Sequence, residues 1–277
     1  LTIMDAANSQ RTQDDQVQEM IDNGCDILCV NLADRTDPSE IIDTARENDV
    51  PIIFFNREPV EEDLMQWNKL YYVGAEAKQS GQMQGELAAD YIKENPSVDK
   101  NSDGKIQYVI LEGELGHQDA IIRTESVAES MKENGVELEK LSYQTANWNR
   151  AQAQNRMTQL IGQYKNSIEL VIANNDAMAL GAMDAYEKLG ITDSNYPVFF
   201  GIDGTDEGLE AVRQSKLAAT VYNDKEGQAY AMAQLAYAVV TGYGMNNIGF
   251  ENKKYIYLPY KKVTAGNVTD FIDNIQD

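Results

Sequence analysis

Residues 168–178 read Ile-Glu-Leu-Val-Ile-Ala-Asn-Asn-Asp-Ala-Met, and this stretch decides the fold class. Leu170–Ala173 is a short apolar run, which is typical of a strand buried on both faces of a parallel sheet. Asn174–Asp176 follow directly, at the position where open α/β sheets bind ligands. Glu169 lies at the other end, and a buried charge there requires a partner. An extended strand separates Glu169 from Asn175 by about 20 Å, so two distinct polar sites are expected.

The same alternation of strand and helix continues along the chain. Strands are predicted at residues 1–5, 25–31, 51–56, 71–74, 106–111, 137–143, 170–173, 198–201, 219–222 and 255–260. Helices are predicted at residues 13–24, 38–48, 79–94, 119–134, 150–165, 176–189, 205–214 and 225–241. This order predicts βαβ units, with parallel sheets and helices on both faces. No linker separates the halves, so two sheets sharing the chain imply several crossings between them.

Composition excludes several classes of function. A length of 277 residues suits one large or two ordinary domains. The net charge of −22 disfavours nucleic acid and anionic membranes as partners. No run of 18 apolar residues predicts a bilayer span. Cys25 and Cys29 are expected to be free thiols, because an extended chain places their Cα atoms about 13 Å apart.

Polar side chains follow many of the predicted strands. The amides and carboxylates at these positions are Asn31, Asn56, Asn175, Asp203 and Asn223. The segment 113–119, with Arg123 one helical turn further on, follows the strand at 106–111 in the same way. A single such residue is usually a helix cap or turn former, but their recurrence at one edge of a sheet indicates a ligand site. Planar amide, carboxylate and guanidinium groups suit a polyhydroxylated ligand. Trp148 offers either a flat face for a sugar ring or an anchor for the core.

The sequence lacks the usual catalytic motifs. His117 is the only histidine, and no Gly-x-Ser-x-Gly elbow or Walker A motif occurs. A catalytic zinc site would need further His or Cys ligands. Binding is therefore favoured over catalysis, and a sugar-converting enzyme with Asp119 or Asp203 as base is the weaker alternative.

Residues 99–107 match the first nine positions of an EF-hand calcium loop. Oxygen ligands fall at positions 1, 3, 5, 7 and 9, the seventh through its backbone carbonyl. These residues are Asp99, Asn101, Asp103, Lys105 and Gln107, with Gly104 at the turn position. Position 12 is Ile110 within a predicted strand, so the last carboxylate must come from elsewhere, and Glu169 is the candidate. The alternative is a solvated turn between helix and strand.

Several segments together resemble a known family. They are Phe54–Pro59, Gly116–Ala120 with Arg123, Thr145–Trp148, Val171–Met178 and Asn223–Asp224. In order and spacing they are similar to the type I periplasmic sugar-binding proteins, in particular the galactose/glucose group, over nearly the whole chain. The family's first βα unit has no counterpart before Leu1. In the family that unit supplies a central strand, a second stacking aromatic and an Asp for the sugar.

The resemblance implies two Rossmann-like lobes that close on a hexose. The N-terminal lobe would comprise 1–74 and 225–257, and the C-terminal lobe 76–223 and 260–277. The implied sugar contacts are Asn56, His117, Asp119, Arg123, Trp148, Asn175, Asp203 and Asn223. The family's calcium site uses the same loop as residues 99–107, completed at the position of Glu169.

The resemblance also implies the partners and the location. D-glucose or D-galactose would be the ligand, with an ABC transporter as membrane partner and a chemoreceptor as a second one. The protein would be a monomer outside the cytoplasm, in the periplasm or at the cell surface as a lipoprotein. Sugar-sensing domains of repressor-like regulators share this architecture and are the alternative. The calcium loop and the acidity count against them.

Overall fold

The computed structural model describes residues 1–192 and 195–272. The chain divides into two compact units. Unit 1 comprises Leu1–Glu76 and Asp224–Leu258, and unit 2 comprises Ala77–Asn223 and Pro259–Asp277. The final part of the predicted C-terminal lobe, residues 273–277, lies outside the described residues. Both units are α/β with largely parallel sheets, which confirms the predicted fold class.

Unit 1 contains a four-stranded parallel sheet in the order β1-β2-β3-β9, with all elements numbered along the whole chain. Its strands are β1 Leu28–Val30, β2 Ile52–Phe55, β3 Leu70–Gly74 and β9 Tyr255–Tyr257. Its helices are α1 Gln10–Asp22, α2 Ser39–Glu47, α3 Glu61–Leu64 and α9 Lys225–Thr241. One apolar cluster includes side chains of α1 and α2, and a separate cluster contains those of α9, so both faces of the sheet are covered.

Unit 2 contains a six-stranded sheet in the order β10-β8-β7-β6-β4-β5. Its strands are β4 Ile106–Glu112, β5 Leu138–Thr145, β6 Leu170–Ala173, β7 Val198–Phe200, β8 Ala219–Tyr222 and β10 Lys261–Thr264. Its helices are α4 Ala77–Glu94, α5 Gln118–Glu133, α6 Arg150–Tyr164, α7 Asp176–Lys188, α8 Asp206–Arg213 and α10 Thr269–Ile272. All pairings are parallel except that of β10 with β8.

The β6 strand is the centre of the unit 2 core, as its sequence predicts. All four of its residues have 0% exposure, and β4 and β7 pair with it on either side. Helices pack on both faces of the sheet, so a strand without polar side chains is stable there. The register places the residues after β6 beside those after β4 and β7.

Two sequence expectations differ from the structure. Residues 1–5 form no strand, and Ile3 is 83% exposed. A strand requires a neighbour for its N–H and C=O groups, and within the described residues β1 pairs only with β2. The predicted strand at 255–260 ends at Tyr257, and the antiparallel strand β10 follows it.

Cys25 and Cys29 are free thiols, as expected. Among the described residues no helix is both long and apolar enough to cross a membrane.

Candidate functional site

The carboxyl edge of the unit 2 sheet brings together every predicted sugar contact except Asn56. Neighbouring parallel strands end along one edge, so the residues that follow them become neighbours. The residues at this edge are His117, Asp119 and Arg123 after β4, Trp148 after β5, Asn175 after β6, Asp203 after β7 and Asn223 after β8. Arg123 and Asp203, which are 80 positions apart in the chain, thereby come within 3.5 Å of each other.

Arg123 on α5 is the most buried side chain of this group, with 5% of it exposed. Its Nη1 donates to the carbonyl oxygen of Asn174 at 2.8 Å, and its Nη2 donates to the hydroxyl of Tyr260 at 2.9 Å. Its Nε is buried and has no hydrogen-bond partner among the described residues. A buried guanidinium N–H is costly to leave unpaired, so this atom is a candidate donor to a ligand.

Two carboxylates flank the guanidinium of Arg123. Asp119 Oδ2 lies 3.5 Å from Nη2, and Asp203 Oδ1 lies 3.5 Å from Nη1. Burial acts to lower the pKa of Arg123, but Tyr260, Asp203 and Asp119 outweigh it and raise the pKa above its ordinary value. Burial raises the pKa of Asp203, and Arg123 opposes that rise. Because 31% of the Asp203 side chain is exposed, water further limits the rise. The three groups offer acceptors and donors side by side, which suits vicinal hydroxyls.

Trp148 lies beside this group on a left-handed turn. Its φ is +61°, and the preceding Asn147 has φ +50°. The side chain is half-buried, and its ring lies 5.7 Å from the guanidinium carbon of Arg123. A Cβ at Gly113 would come within 2.1 Å of the indole, so only glycine fits after β4. The indole is thus neither fully sealed in the core nor fully exposed, and a flat partly open ring is suited to stacking on a sugar.

His117 and Asn175 also act as helix caps. His117 Nδ1 accepts from the Asp119 N–H at 3.1 Å, and Asn175 Oδ1 accepts from the Met178 N–H at 3.0 Å. Both also contact Trp148. The imidazole lies edge-on with ring centroids 5.1 Å apart, and Asn175 Nδ2 donates to the Trp148 carbonyl at 3.3 Å. Capping and support of Trp148 are therefore roles of these side chains in the structure.

Asn223 and Asn56 complete the predicted set. The Asn223 N–H donates to the carbonyl of Asp203 at 2.9 Å, which ties the end of β8 to the Asp203 turn. Asn56 lies in unit 1 after β2, with φ +60°. The hydroxyl of Tyr72 donates to its carbonyl at 2.9 Å, which fixes that turn.

Sequence reasoning missed Tyr260 and Asn174 as partners of Arg123. Tyr260 is 3% exposed and is 137 positions away from Arg123 along the chain. No sequence pattern links residues so distant. Asn174 was noted only as a strand end, yet it contributes its carbonyl to Arg123 and its Oδ1 to the N–H of Gly113 at 3.0 Å.

The predicted calcium loop has the hydrogen bonds of a compact turn. Asp99 Oδ2 accepts from the Gly104 N–H at 2.9 Å, and Asp103 Oδ1 accepts from the Lys105 N–H at 2.8 Å. Gly104 has φ +81°, which the sixth loop position needs. Gln107 Nε2 lies 2.9 Å from Asp103 Oδ2, so side chains of the loop converge. The loop hydrogen bonds lower the pKa of Asp103, chiefly the N–H of Lys105.

Glu169, the predicted last ligand of the calcium site, hydrogen-bonds to the backbone of this loop. It is 1% exposed. Its Oε1 accepts from the Lys100 N–H at 2.6 Å and its Oε2 from the Gln107 N–H at 3.0 Å. Backbone N–H groups therefore accommodate the buried charge.

The carboxylate, amide and backbone oxygens of the loop are of the chemical type that calcium binds. No group of three Asp, Glu, His or Cys side chains is arranged for a metal within residues 1–192 and 195–272. An ion here would depend on amide and backbone oxygens besides carboxylates. Calcium accepts this mixture, whereas transition metals prefer nitrogen or sulfur. The hydrogen bonds from Asn101 Nδ2 to Gln107 Oε1 (3.2 Å) and to Asp103 Oδ2 (3.0 Å) bring these polar groups to one point.

Comparison with known proteins agrees with the fold. The chain is 37% identical over 275 residues to the D-galactose/methyl-galactoside binding periplasmic protein MglB of Haemophilus influenzae, covering 98% of this chain and 82% of that protein. It is 30% identical to a putative rhizopine-binding protein of Rhizobium meliloti, over 98% of this chain and 82% of that one. A crystal structure of an ABC transporter solute binding protein from Bacillus halodurans with bound myo-inositol superimposes with a TM-score of 0.81 at 31% identity, covering 97% of this chain and 85% of that one.

A family profile described as periplasmic binding protein domain matches residues 1–244. This match spans most of both units. With the sheet topology and the relatives above, it places the chain in a family of solute-binding proteins. The chain belongs to the periplasmic binding protein domain family and has the type I fold of its sugar-binding members.

Proposed function

We propose that the protein is an extracytoplasmic receptor for D-galactose or D-glucose that delivers the sugar to an ABC transporter. One observation carries the proposal: Asp119, Arg123 and Asp203 converge beside the ring of Trp148 at the carboxyl edge of the unit 2 sheet. The buried Nε–H of Arg123 has no acceptor among the described residues, and the carboxylates can accept from hydroxyl groups. A neutral hexose offers both kinds of partner and an apolar C–H face for the indole.

The choice of hexose is supported by similarity and by chemistry. The relative from Haemophilus influenzae is named for D-galactose and methyl-galactoside, whereas other relatives are named for ribose or have bound myo-inositol. Carboxylates at a sugar site distinguish ligands by individual hydroxyl groups, since a missing hydroxyl leaves a buried acceptor unpaired. A chemoreceptor as a second partner is proposed on the same resemblance alone.

Calorimetry with D-galactose and D-glucose tests the proposal. We expect at least one of them to bind about tenfold or more tightly than D-ribose and myo-inositol, because those ligands present different hydroxyl patterns to the same fixed acceptors. L-Galactose is the matched control, having the same groups in mirror image. The sugar should be recovered unchanged. Absence of heat with every sugar, or equal affinity for the two galactose enantiomers, would contradict the receptor function.

We further propose that calcium stabilises unit 2 at the loop of residues 99–107. Support comes from the EF-hand spacing and from the convergence of its side chains with Glu169 behind the loop. The proposed ligands are Asp99, Asn101, Asp103, Gln107, Glu169 and the backbone carbonyl of Lys105. Bound calcium would supply the positive charge that these oxygens surround. Its role would be structural, because the loop lies before β4, whereas the proposed sugar contacts lie after β4 at the other end of the strand.

Addition of calcium should therefore raise the melting temperature. Binding only to the folded state contributes about 2.7 kcal/mol at 100-fold excess over the dissociation constant, or roughly 5 °C for a chain of 277 residues. Asp103→Asn removes a charged ligand at an exposed position and should lose most of this shift. Asp90→Asn, an exposed change on α4, should keep it. Equal melting temperatures in calcium and in EDTA for the wild type would rule the site out.

A further inference from the structure

Asp203 occupies a strained turn at the end of β7. Its φ is +111°, a region that L residues rarely adopt, and the following Gly204 has φ +64°. Such a conformation persists only where its surroundings hold it, and it costs roughly 1–3 kcal/mol. The turn carries the carboxylate that faces Arg123. The backbone of β8 holds Asp203 itself, since the Asp203 N–H donates to the carbonyl of Val221 at 2.8 Å and its carbonyl accepts from the N–H of Asn223 at 2.9 Å. The residues on either side of the turn are held by a different group.

Asp176, the first residue of α7, bonds to the chain on both sides of the turn. Its N–H donates to the carbonyl of Ile202 at 2.7 Å. Its Oδ2 accepts from the N–H of Thr205 at 2.8 Å and from the hydroxyl of Thr205 at 3.3 Å. The residues immediately flanking the Asp203–Gly204 pair are thus tied to one residue, Ile202 through the main-chain N–H of Asp176 and Thr205 through the Asp176 carboxylate.

The carboxylate of Asp176 is itself held rigidly. It is 0% exposed, and its Oδ1 accepts from the hydroxyl of Thr220 on β8 at 2.6 Å. A Cβ at Gly201 or Gly208 would come within 2.2 Å of its oxygens, so the backbone packs directly against it. Burial raises the pKa of Asp176 to about 7, and the charge of Asp203 adds to the rise. Burial of a carboxyl group costs free energy, so a fully buried one is unusual unless its hydrogen bonds are needed.

We propose that Asp176 is a positioning residue for the sugar site, which holds Asp203 in its left-handed conformation and so aims the Asp203 carboxylate beside Arg123. The proposal rests on the proposed sugar-binding function and deepens it. The Asp176 carboxylate acts through its hydrogen bonds to Thr205, is itself held by Thr220, and does not contact the ligand. The sequence alone marks Asp176 only as one of three polar residues after a buried strand.

A purely structural role would make different predictions. If Asp176 only stabilised the N-terminus of α8, its loss would lower the free energy of unfolding and would weaken sugar binding, if at all, independently of Asp203. If Asp176 acts through Asp203, its loss should matter little once the Asp203 carboxylate is gone. A double-mutant cycle separates these cases.

The experiment measures hexose dissociation constants by calorimetry for Asp176→Ala, Asp203→Asn and the double variant. We expect Asp176→Ala to weaken binding about 20-fold or more, and the double variant to bind within about threefold of Asp203→Asn alone. His117 follows β4 and lies outside the Asp203 turn. In the double variant of Asp176→Ala with His117→Ala, the two losses of affinity should therefore multiply. Asp176→Asn should restore most of the affinity, because its amide can accept from Thr205 and donate to the Thr220 oxygen.

Each outcome decides between the possibilities. Equal affinity of the wild type and Asp176→Ala, or multiplicative effects with Asp203→Asn, would overturn the positioning role while leaving the receptor function intact. A wild type that binds no hexose would overturn the receptor function and the positioning role with it. If Asp176→Ala fails to fold, Thr220→Val replaces it, since that change keeps the volume and removes the bond to Asp176 Oδ1. The proposal would then be supported if Thr220→Val weakens hexose binding in the wild type but has no effect in the Asp203→Asn background.

Discussion

Asp203→Asn is expected to weaken hexose binding by about 100-fold, because a charged acceptor contributes roughly 1.5–3 kcal/mol to each hydrogen bond it makes. The amide keeps the shape of the side chain, and Asn tolerates the left-handed backbone of this position better than Ala does. The variant also removes one of the two carboxylates that flank Arg123. Calorimetry gives the dissociation constant, and thermal unfolding checks the fold.

The control for this change is Asp184→Asn. Asp184 also pairs with an arginine, Arg150, at 2.7 Å, and 27% of its side chain is exposed, against 31% for Asp203. We expect both variants to lose less than about 1 kcal/mol of stability, because water reaches both carboxylates and Asp119 still flanks Arg123 in Asp203→Asn. Only Asp203→Asn should lose sugar affinity. Unchanged affinity in Asp203→Asn would remove this carboxylate from the site.

Arg123→Met should destabilise the free protein by about 3–5 kcal/mol at neutral pH, because Asp119 and Asp203, only partly reached by water, are left as two unpaired like charges. The carbonyl of Asn174 and the hydroxyl of Tyr260 also lose their donor. Sugar binding should fall below detection. Chemical denaturation measures the stability of the variant. Arg150→Met is the control, because that guanidinium has two acidic partners but is 44% exposed, and its loss should cost about 1 kcal/mol or less.

The destabilisation of Arg123→Met should depend on pH. In the wild type Arg123 lowers the pKa of Asp203 against the effect of burial. Without Arg123 that pKa rises further, so the folded state takes up a proton at higher pH. An acid with a raised pKa in the folded state costs stability as pH rises through that pKa. The deficit relative to wild type should therefore be smaller at pH 5 than at pH 8. A deficit independent of pH would indicate that lost packing, rather than uncompensated charge, causes the destabilisation.

Much of the architecture could be read from local patterns. The apolar run Leu170–Ala173 is too short for a helix and too uniform for a half-exposed strand, and the structure buries all of it. Alternating periods of two and 3.6 residues mark most other elements to within a few residues. Residues 1–5 show where local pattern fails, because a strand also depends on a neighbour that its own sequence does not specify.

The sequence by itself determined which residue types stand at the ends of strands, and hence the chemistry available at the edge of the sheet. It also determined the spacing of the loop at residues 99–107, because loop ligands are close along the chain. Only the tertiary structure decided that Tyr260 bonds to Arg123 and that Asp176 holds the Asp203 turn. These contacts join segments between 29 and 137 positions apart. Their geometry is set by strand order and register, which are properties of the assembled sheet and leave no periodicity in the chain.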